Sequence, residues 1–263
     1  MMRRTIFDDD HELYRRAVRE FITAEIKPHH DNWERAGTVS REAWLAAGAG
    51  GHLCHAVPED YGGAGVDDFR FPVVFMEELA DALASGPGFA VHSEMVVPYI
   101  TAYGSNEQRQ RWLPGCVDGS IITAVAMSEP GPGSDLAGIA TTAVRGGDSY
   151  VLNGAKTFIS NGQLADLVVV VARTSEDPHR GLSLLVVERG MEGFERGRNL
   201  DKVGMKAQDT SELFFSDVRV PADNLIGEEG AGFFYLMSGL ERERLTIAVG
   251  AVATAAKALE LTR

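Results

Sequence analysis

The sequence predicts an α+β protein: an N-terminal helical domain, a middle antiparallel β domain of sandwich or barrel type, and a final apolar helix. Two changes of hydrophobic period predict it. Apolar residues recur at helical spacing to about residue 118, follow strand-like runs rich in turn residues to about 229, then return to helical spacing. The expected units are residues 1–118, 119–229 and 230–263.

In the first unit, Leu13, Val18, Phe21, Ile22 and Ile26 mostly fall three to five residues apart, an apolar stripe for one helix face. Ser40 can cap a short helix through Ala47, after which Gly48-Ala49-Gly50-Gly51 and Gly62-Gly63-Ala64-Gly65 interrupt. A longer helix is expected from about Phe71 to Ala84, with Pro72 tolerable only in its first turn. The next, from Phe89 to Tyr103, should kink at Pro98. Ser105 and Gln108 form a capping box that opens a helix through Leu113.

Short β-rich runs follow at 121–127, 140–145, 150–159, 167–172, 182–187 and 212–218, divided by Gly, Asn, Asp and Pro. Asp148-Ser149 and Asn153-Gly154 supply turn chemistry. Strands in succession without intervening helices imply antiparallel pairing. No Gly-x-Gly-x-x-Gly pattern follows a strand, which argues against a dinucleotide fold. From Gly232, Phe233, Phe234, Leu236, Met237, Leu240, Leu245, Ile247, Val249, Val252 and Leu259 nearly encircle the axis, as expected of a helix buried among others.

The 263 residues carry a formal net charge of −13, which disfavours sequence-independent nucleic-acid binding and anionic membrane surfaces. Cys54 and Cys116 stand far apart without a pairing pattern, which fits a reducing compartment. The N-terminus meets Asp8, Asp9 and Asp10 before any apolar run, unlike a secretory signal. No stretch approaches the ~18 apolar residues of a membrane span. A cytoplasmic location is expected.

Two segments carry the chemistry. Met127-Ser128-Glu129-Pro130-Gly131-Pro132-Gly133-Ser134-Asp135 is a turn whose prolines fix φ and whose glycines let a ligand approach the backbone. Phe158-Ile159-Ser160-Asn161-Gly162 ends a strand and pairs an aromatic face with a nearby hydroxyl. Taken singly, the first also reads as an ordinary Gly/Pro loop and the second as a core Phe followed by an Asn-Gly turn. His52-x-x-His55 has no second ligand pair nearby in sequence, so no metal site is expected.

In this order and spacing, the two segments resemble the flavin-binding signature of the acyl-CoA dehydrogenases. Pro58-Glu59-Asp60-Tyr61-Gly62-Gly63, Tyr103-Gly104-Ser105-Asn106-Glu107-Gln108, Val218-Arg219-Val220-Pro221, Leu225-Ile226-Gly227 and Gly230-Ala231-Gly232-Phe233 match family stretches in the same order. The resemblance implies FAD as cofactor, an acyl-CoA substrate, oxidation to a trans-2-enoyl-CoA, and electron-transferring flavoprotein as acceptor. It implies that Met127, Ser128, Phe158 and Ser160 line the flavin, with Gly133 and Ile159 in the same stretches. Ser134 would touch cofactor or the CoA arm. Ser128 stands where many members carry Thr, and Phe158 where many carry Trp.

Most of the family places its catalytic base later than this chain extends. A subset, including isovaleryl-CoA and long-chain dehydrogenases, carries it on the helix opening the C-terminal bundle, in a Glu-Arg-Leu context. Here Glu241-Arg242-Glu243-Arg244-Leu245 puts Glu243 at that position, with Glu241 and Arg244 near the substrate. On its own pattern, Glu243 shares a helix face with Leu240 and Ile247, where burial raises a carboxyl pKa. The same run also reads as a solvated charge cluster with Glu241 paired to Arg244. Association as a homo-oligomer, or with a complementary chain, is expected to cover the apolar terminal helix.

Overall fold

The computed structural model describes residues 5–131, 133, 135–177 and 180–263. Seven α-helices and eight strands order the described chain: α1 (Asp9–Phe21), α2 (Lys27–Ala36), α3 (Arg41–Ala49), α4 (Arg70–Asp81), α5 (Val97–Tyr103), α6 (Asn106–Asp118), β1 (Thr123–Ala126), β2 (Thr142–Gly146), β3 (Ser149–Ser160), β4 (Leu167–Arg173), β5 (Leu182–Glu188), β6 (Phe194–Asn199), β7 (Thr210–Pro221), β8 (Leu225–Ile226) and α7 (Gly232–Leu261).

Val18, Phe21, Ile22 and Ile26 are buried as their spacing predicts, while Leu13 is exposed. Leu13 precedes Val18 by five residues, about 140° around the axis, and so leaves the stripe. Two π-helical segments, Ile22–Ile26 and Val91–Val96, lead into α2 and α5, which carry Pro28 and Pro98 in their first turns. In each, the next amide reaches five residues back, Lys27 to the Ile22 carbonyl and Val97 to the His92 carbonyl. The wider turn lets the chain stay helical up to a proline that has no amide hydrogen and crowds an ordinary turn. The predicted capping box of Ser105 and Gln108 opens α6, which continues past Pro114 to Asp118.

The eight strands form one sheet in the order β6-β7-β3-β2-β4-β5-β8, with β1 also on β4. Its ends stay open, so the barrel alternative does not hold. The expectation of purely antiparallel pairing needs correction too, because β1 runs parallel to β4 and Thr142 of β2 pairs parallel with Arg173. Between β1 and β4 lie the first motif loop and the β2–β3 hairpin, a crossover long enough for parallel strands. The charged β6 and the two-residue β8 lack an apolar alternation and escaped the sequence reading.

Strand β4 is buried on both faces, which explains its uninterrupted valines. Leu167, Val169 and Val171 join Ile100, Trp112 and Leu113 in a core shared with the helices. Val168, Val170 and Ala172 join Tyr150, Leu152, Phe215 and Val218 in a second core where the sheet bends over itself. The helix α7 lies on α4, α5, the second π segment and β5, but is buried on one side only. Leu245, Ile247, Val252, Leu259 and Leu261 are exposed, unlike the all-round burial expected. Among the described residues no helix is long and apolar enough to cross a membrane.

The seam between helices and sheet is held by His92, which is fully buried. Its Nδ1 accepts from the Thr123 amide at 3.2 Å, so Nε2 carries the proton and donates to the Cys116 carbonyl at 2.9 Å. Cys54 Sγ lies 3.4 Å from the same nitrogen, so the two sequence-distant cysteines, both free and buried, meet here. His52 and His55 flank the Tyr14 hydroxyl at 3.4 and 2.8 Å. Burial pulls all three imidazoles down to about 4. In the unfolded chain they take up protons near 6.5, before the folded state does, so stability is lost as pH falls from about 6.5 through 4. For His92 alone the loss is on the order of 3 kcal/mol. Melting followed by circular dichroism from pH 7.5 to 4 should show a Tm falling in that window; a flat Tm would contradict the buried neutral histidines.

Candidate active site

The two motif segments, apart in sequence, meet at the ends of β1 and β3. Lys156 on β3 is fully buried, and its ammonium donates to the Met127 carbonyl at 3.0 Å and to Glu129 Oε1 at 2.8 Å. Glu129, itself buried, also accepts the Ala140 and Thr141 amides at 2.8 and 3.0 Å. The Thr157 amide donates to the Ser128 carbonyl at 2.9 Å. The second segment thus clasps the first through an ion pair and main-chain bonds. Burial pulls the Lys156 ammonium down to about 8, against the pull of Glu129. Burial pushes the Glu129 carboxyl upward, but Lys156, Thr141 and the Ala140 amide together hold it below its usual range. Sequence reasoning gave neither residue a role, although a lysine inside a strand-like run was the available signal.

At Phe158, β3 bulges: its register on β7 slips between Lys156 and Ile159, and Phe158 takes a left-handed φ of 60°. The bulge turns this ring out of the core to 69 % exposure, which excludes the core-Phe alternative. Ile159 points into the sheet core, so only its backbone is available to a ligand. Ser160, Met127 and Ser128 are half-buried. No described atom lies within 4 Å of where a Cβ would stand on Gly131 or Gly133, which leaves the loop backbone accessible. Ser134 lies outside the described residues.

Asn161 closes the second segment in the left-handed region with a buried side chain. Its Nδ2 donates to the Gly88 and Thr123 carbonyls, each at 3.2 Å, tying the turn to β1 and to the helices. A Cβ on Gly88 would stand 2.0 Å from Asn161 Oδ1, so only glycine fits that approach.

On α7 the charge run splits by helix face. Arg242 turns inward, donating to buried Glu94 at 2.8 Å and to Asp67 at 3.1 Å. Glu243 is half-buried and accepts the Tyr99 hydroxyl at 2.5 Å. Burial raises its carboxyl above the ordinary range, with the Tyr99 hydrogen bond opposing. Glu241 and Arg244 are exposed. The π segment Val91–Val96 joins the two halves of the site, with His92 on β1 and Glu94 on Arg242 beside Glu243.

Models of the acyl-CoA dehydrogenase N-terminal and middle domains match residues 8–120 and 124–218. A crystal structure of an acyl-CoA dehydrogenase from Geobacillus kaustophilus superposes with a TM-score of 0.95 at 51 % identity, covering 98 % of this chain and 68 % of that one. The chain belongs to the acyl-CoA dehydrogenase family. The mitochondrial long-chain specific acyl-CoA dehydrogenase of Mus musculus is 50 % identical over 263 residues, 99 % of this chain and 61 % of the relative. An acyl-CoA dehydrogenase from Bacillus anthracis, crystallised with FAD, is 30 % identical with a TM-score of 0.90, over 99 % of this chain and 45 % of that one. The chain thus spans about three fifths of the length of the curated relative it matches at 50 % identity.

Removing one partner of the Lys156–Glu129 pair strands a buried charge. Lys156→Met should cost about 3–5 kcal/mol, and Lys156→Met with Glu129→Gln, which removes the stranded charge and keeps an acceptor for the Ala140 and Thr141 amides, clearly less than the single change. Urea denaturation of the two variants and the parent checks this.

Proposed function

We propose that this chain carries out, or supplies the catalytic face for, FAD-dependent α,β-dehydrogenation of a fatty acyl-CoA to a trans-2-enoyl-CoA. Family membership and the outward-turned Phe158 support FAD as cofactor. Phe158 would present its ring to the isoalloxazine, with Ser128 and Ser160 supplying hydroxyls and Met127, Gly133, Ser134 and the Ile159 backbone completing the wall. Bound FAD supplies a hydride acceptor for the substrate β-hydrogen. The likeness to a long-chain specific relative supports a fatty acyl group as substrate.

The observation that carries the reading is Glu243 on α7, a half-buried carboxylate held by Tyr99 of α5. Glu243 would remove the substrate α-proton, a task for a carboxylate made more basic by burial. Arg242, committed to Glu94 and Asp67, would fix the turn that presents it. Glu241 and Arg244 would meet the polar part of the substrate. Electron-transferring flavoprotein is the proposed acceptor, the cytoplasm the proposed location, and 1–118, 119–229 and 230–263 the proposed units.

The exposed apolar face of α7 favours a second reading, a catalytically incompetent fragment or partner subunit that retains FAD only when another chain covers that face. Purification with added FAD separates the two, since protein that stays colourless until a partner is supplied fits only the second. Anaerobic acyl-CoA should bleach the flavin absorbance of the loaded enzyme, and Glu243→Gln should slow bleaching about 10²–10⁴-fold. Bleaching undiminished in that variant removes Glu243 as base.

The base must be ionised, so kcat/KM should fall as pH drops through a Glu243 pKa above the ordinary carboxylate range. The sign for stability is opposite. A raised folded pKa makes the ionised Glu243 a growing cost as pH rises through the window above the unfolded value. Glu243→Gln should therefore steepen the net rise of Tm with pH that the buried histidines give across that window, read by differential scanning fluorimetry.

A further inference from the structure

Helix α5 sets a ladder of aromatic contacts against α7. The Tyr103 ring stacks on Tyr235 with centroids 3.9 Å apart. Ser238 donates to the Tyr235 carbonyl, so the Tyr103 hydroxyl donates to Ser238 Oγ at 2.6 Å. One turn earlier on α5, Tyr99 is buried and reaches Glu243. Between these rungs α7 carries Gly239. A Cβ there would stand 2.7 Å from the Tyr99 hydroxyl and 3.1 Å from its ring. Glycine weakens a helix interior, and here its missing side chain is the space the phenol occupies.

We infer that Tyr99 is a positioning residue for the Glu243 carboxylate, admitted by the notch at Gly239. This rests on Glu243 being the proton-abstracting base. Tyr99 is well placed to hold one carboxylate oxygen while leaving the other free. Burial raises the Tyr99 pKa, so the phenol stays protonated and always donates. A donor to the ionised carboxylate favours that form and limits how far burial raises the Glu243 pKa.

Charged groups on the elements packed against α7 are already engaged. Glu94 and Asp67 are held by Arg242. On α4, Glu77 and Glu78 bind Arg15, and Asp81 binds Lys257. On β5, Glu188 binds Arg111.

The test compares Tyr99→Phe, Gly239→Ala and Glu243→Gln in the FAD-loaded enzyme, with a carboxyl titration that needs no turnover. Tyr99→Phe should lower kcat about tenfold with KM changed less than threefold, and shift the acid limb of kcat/KM to higher pH. Carbon-13 NMR of glutamate-labelled protein without substrate, with the Glu243 signal assigned by its loss in Glu243→Gln, should show the same upward shift. Gly239→Ala should reproduce both shifts. Because alanine favours a helix over glycine, that loss cannot come from a weaker helix. If Tyr99→Phe does not fold, Gly239→Ala and Gly239→Ser carry the comparison. Unchanged acid limb and carboxyl titration in the folded variants overturn the positioning role, even where Glu243→Gln is inactive. Full activity in Glu243→Gln instead overturns the base assignment on which the inference stands.

Discussion

One wide turn of helix, Val91–Val96, holds the rest of the molecule in relation to itself. Because it is π-helical, it meets Pro98 without breaking, and it sends two residues of opposite use to two partners. His92 grips the first residue of β1, the strand that runs into the Pro-Gly loop, while Glu94 grips Arg242 on α7 beside Glu243. Both side chains are buried, so both bonds act in a low dielectric where leaving either group unpaired is costly. Sheet, helical layer and last helix are indexed to one another through this turn.

The second constraint lies within the sheet. The start of the Pro-Gly loop, Met127 to Glu129, is held by what grips it from β3. Lys156 and Thr157 provide that grip, with Glu129 returning to cap the start of β2. An ion pair buried this deeply is an expensive way to join two segments, and its main-chain bonds give it a definite geometry. The same strand then bulges, which frees Phe158 from the alternation that would otherwise bury it. A rigid clasp and an outward aromatic thus arise within three residues.

Much of this was legible in the chain. The two changes of period separate helices from strands, and Gly, Pro and Asn mark the loops because they act through local backbone energetics. Glu243 was legible as a carboxylate on a partly apolar helix face. Lys156, Glu129, Tyr99 and Gly239 were not, because each takes its meaning from a partner dozens of residues away. Edge strands β6 and β8 stayed hidden because charged or very short strands carry no alternation. The parallel β1–β4 pair was hidden because pairing direction depends on where a crossover lands.

By itself the sequence determined the element types, the loop chemistry, the acyl-CoA dehydrogenase character of the chain and the residue types available for proton abstraction. Those follow from propensity, periodicity and short motifs, which act within a few residues. Tertiary structure alone decided that Phe158 faces outward, that Lys156 closes on Glu129, and that Tyr99 fills the space left by Gly239 to meet Glu243. Those outcomes depend on burial and on hydrogen bonds between distant segments, whose energies exist only once the chain has brought the partners together and excluded water.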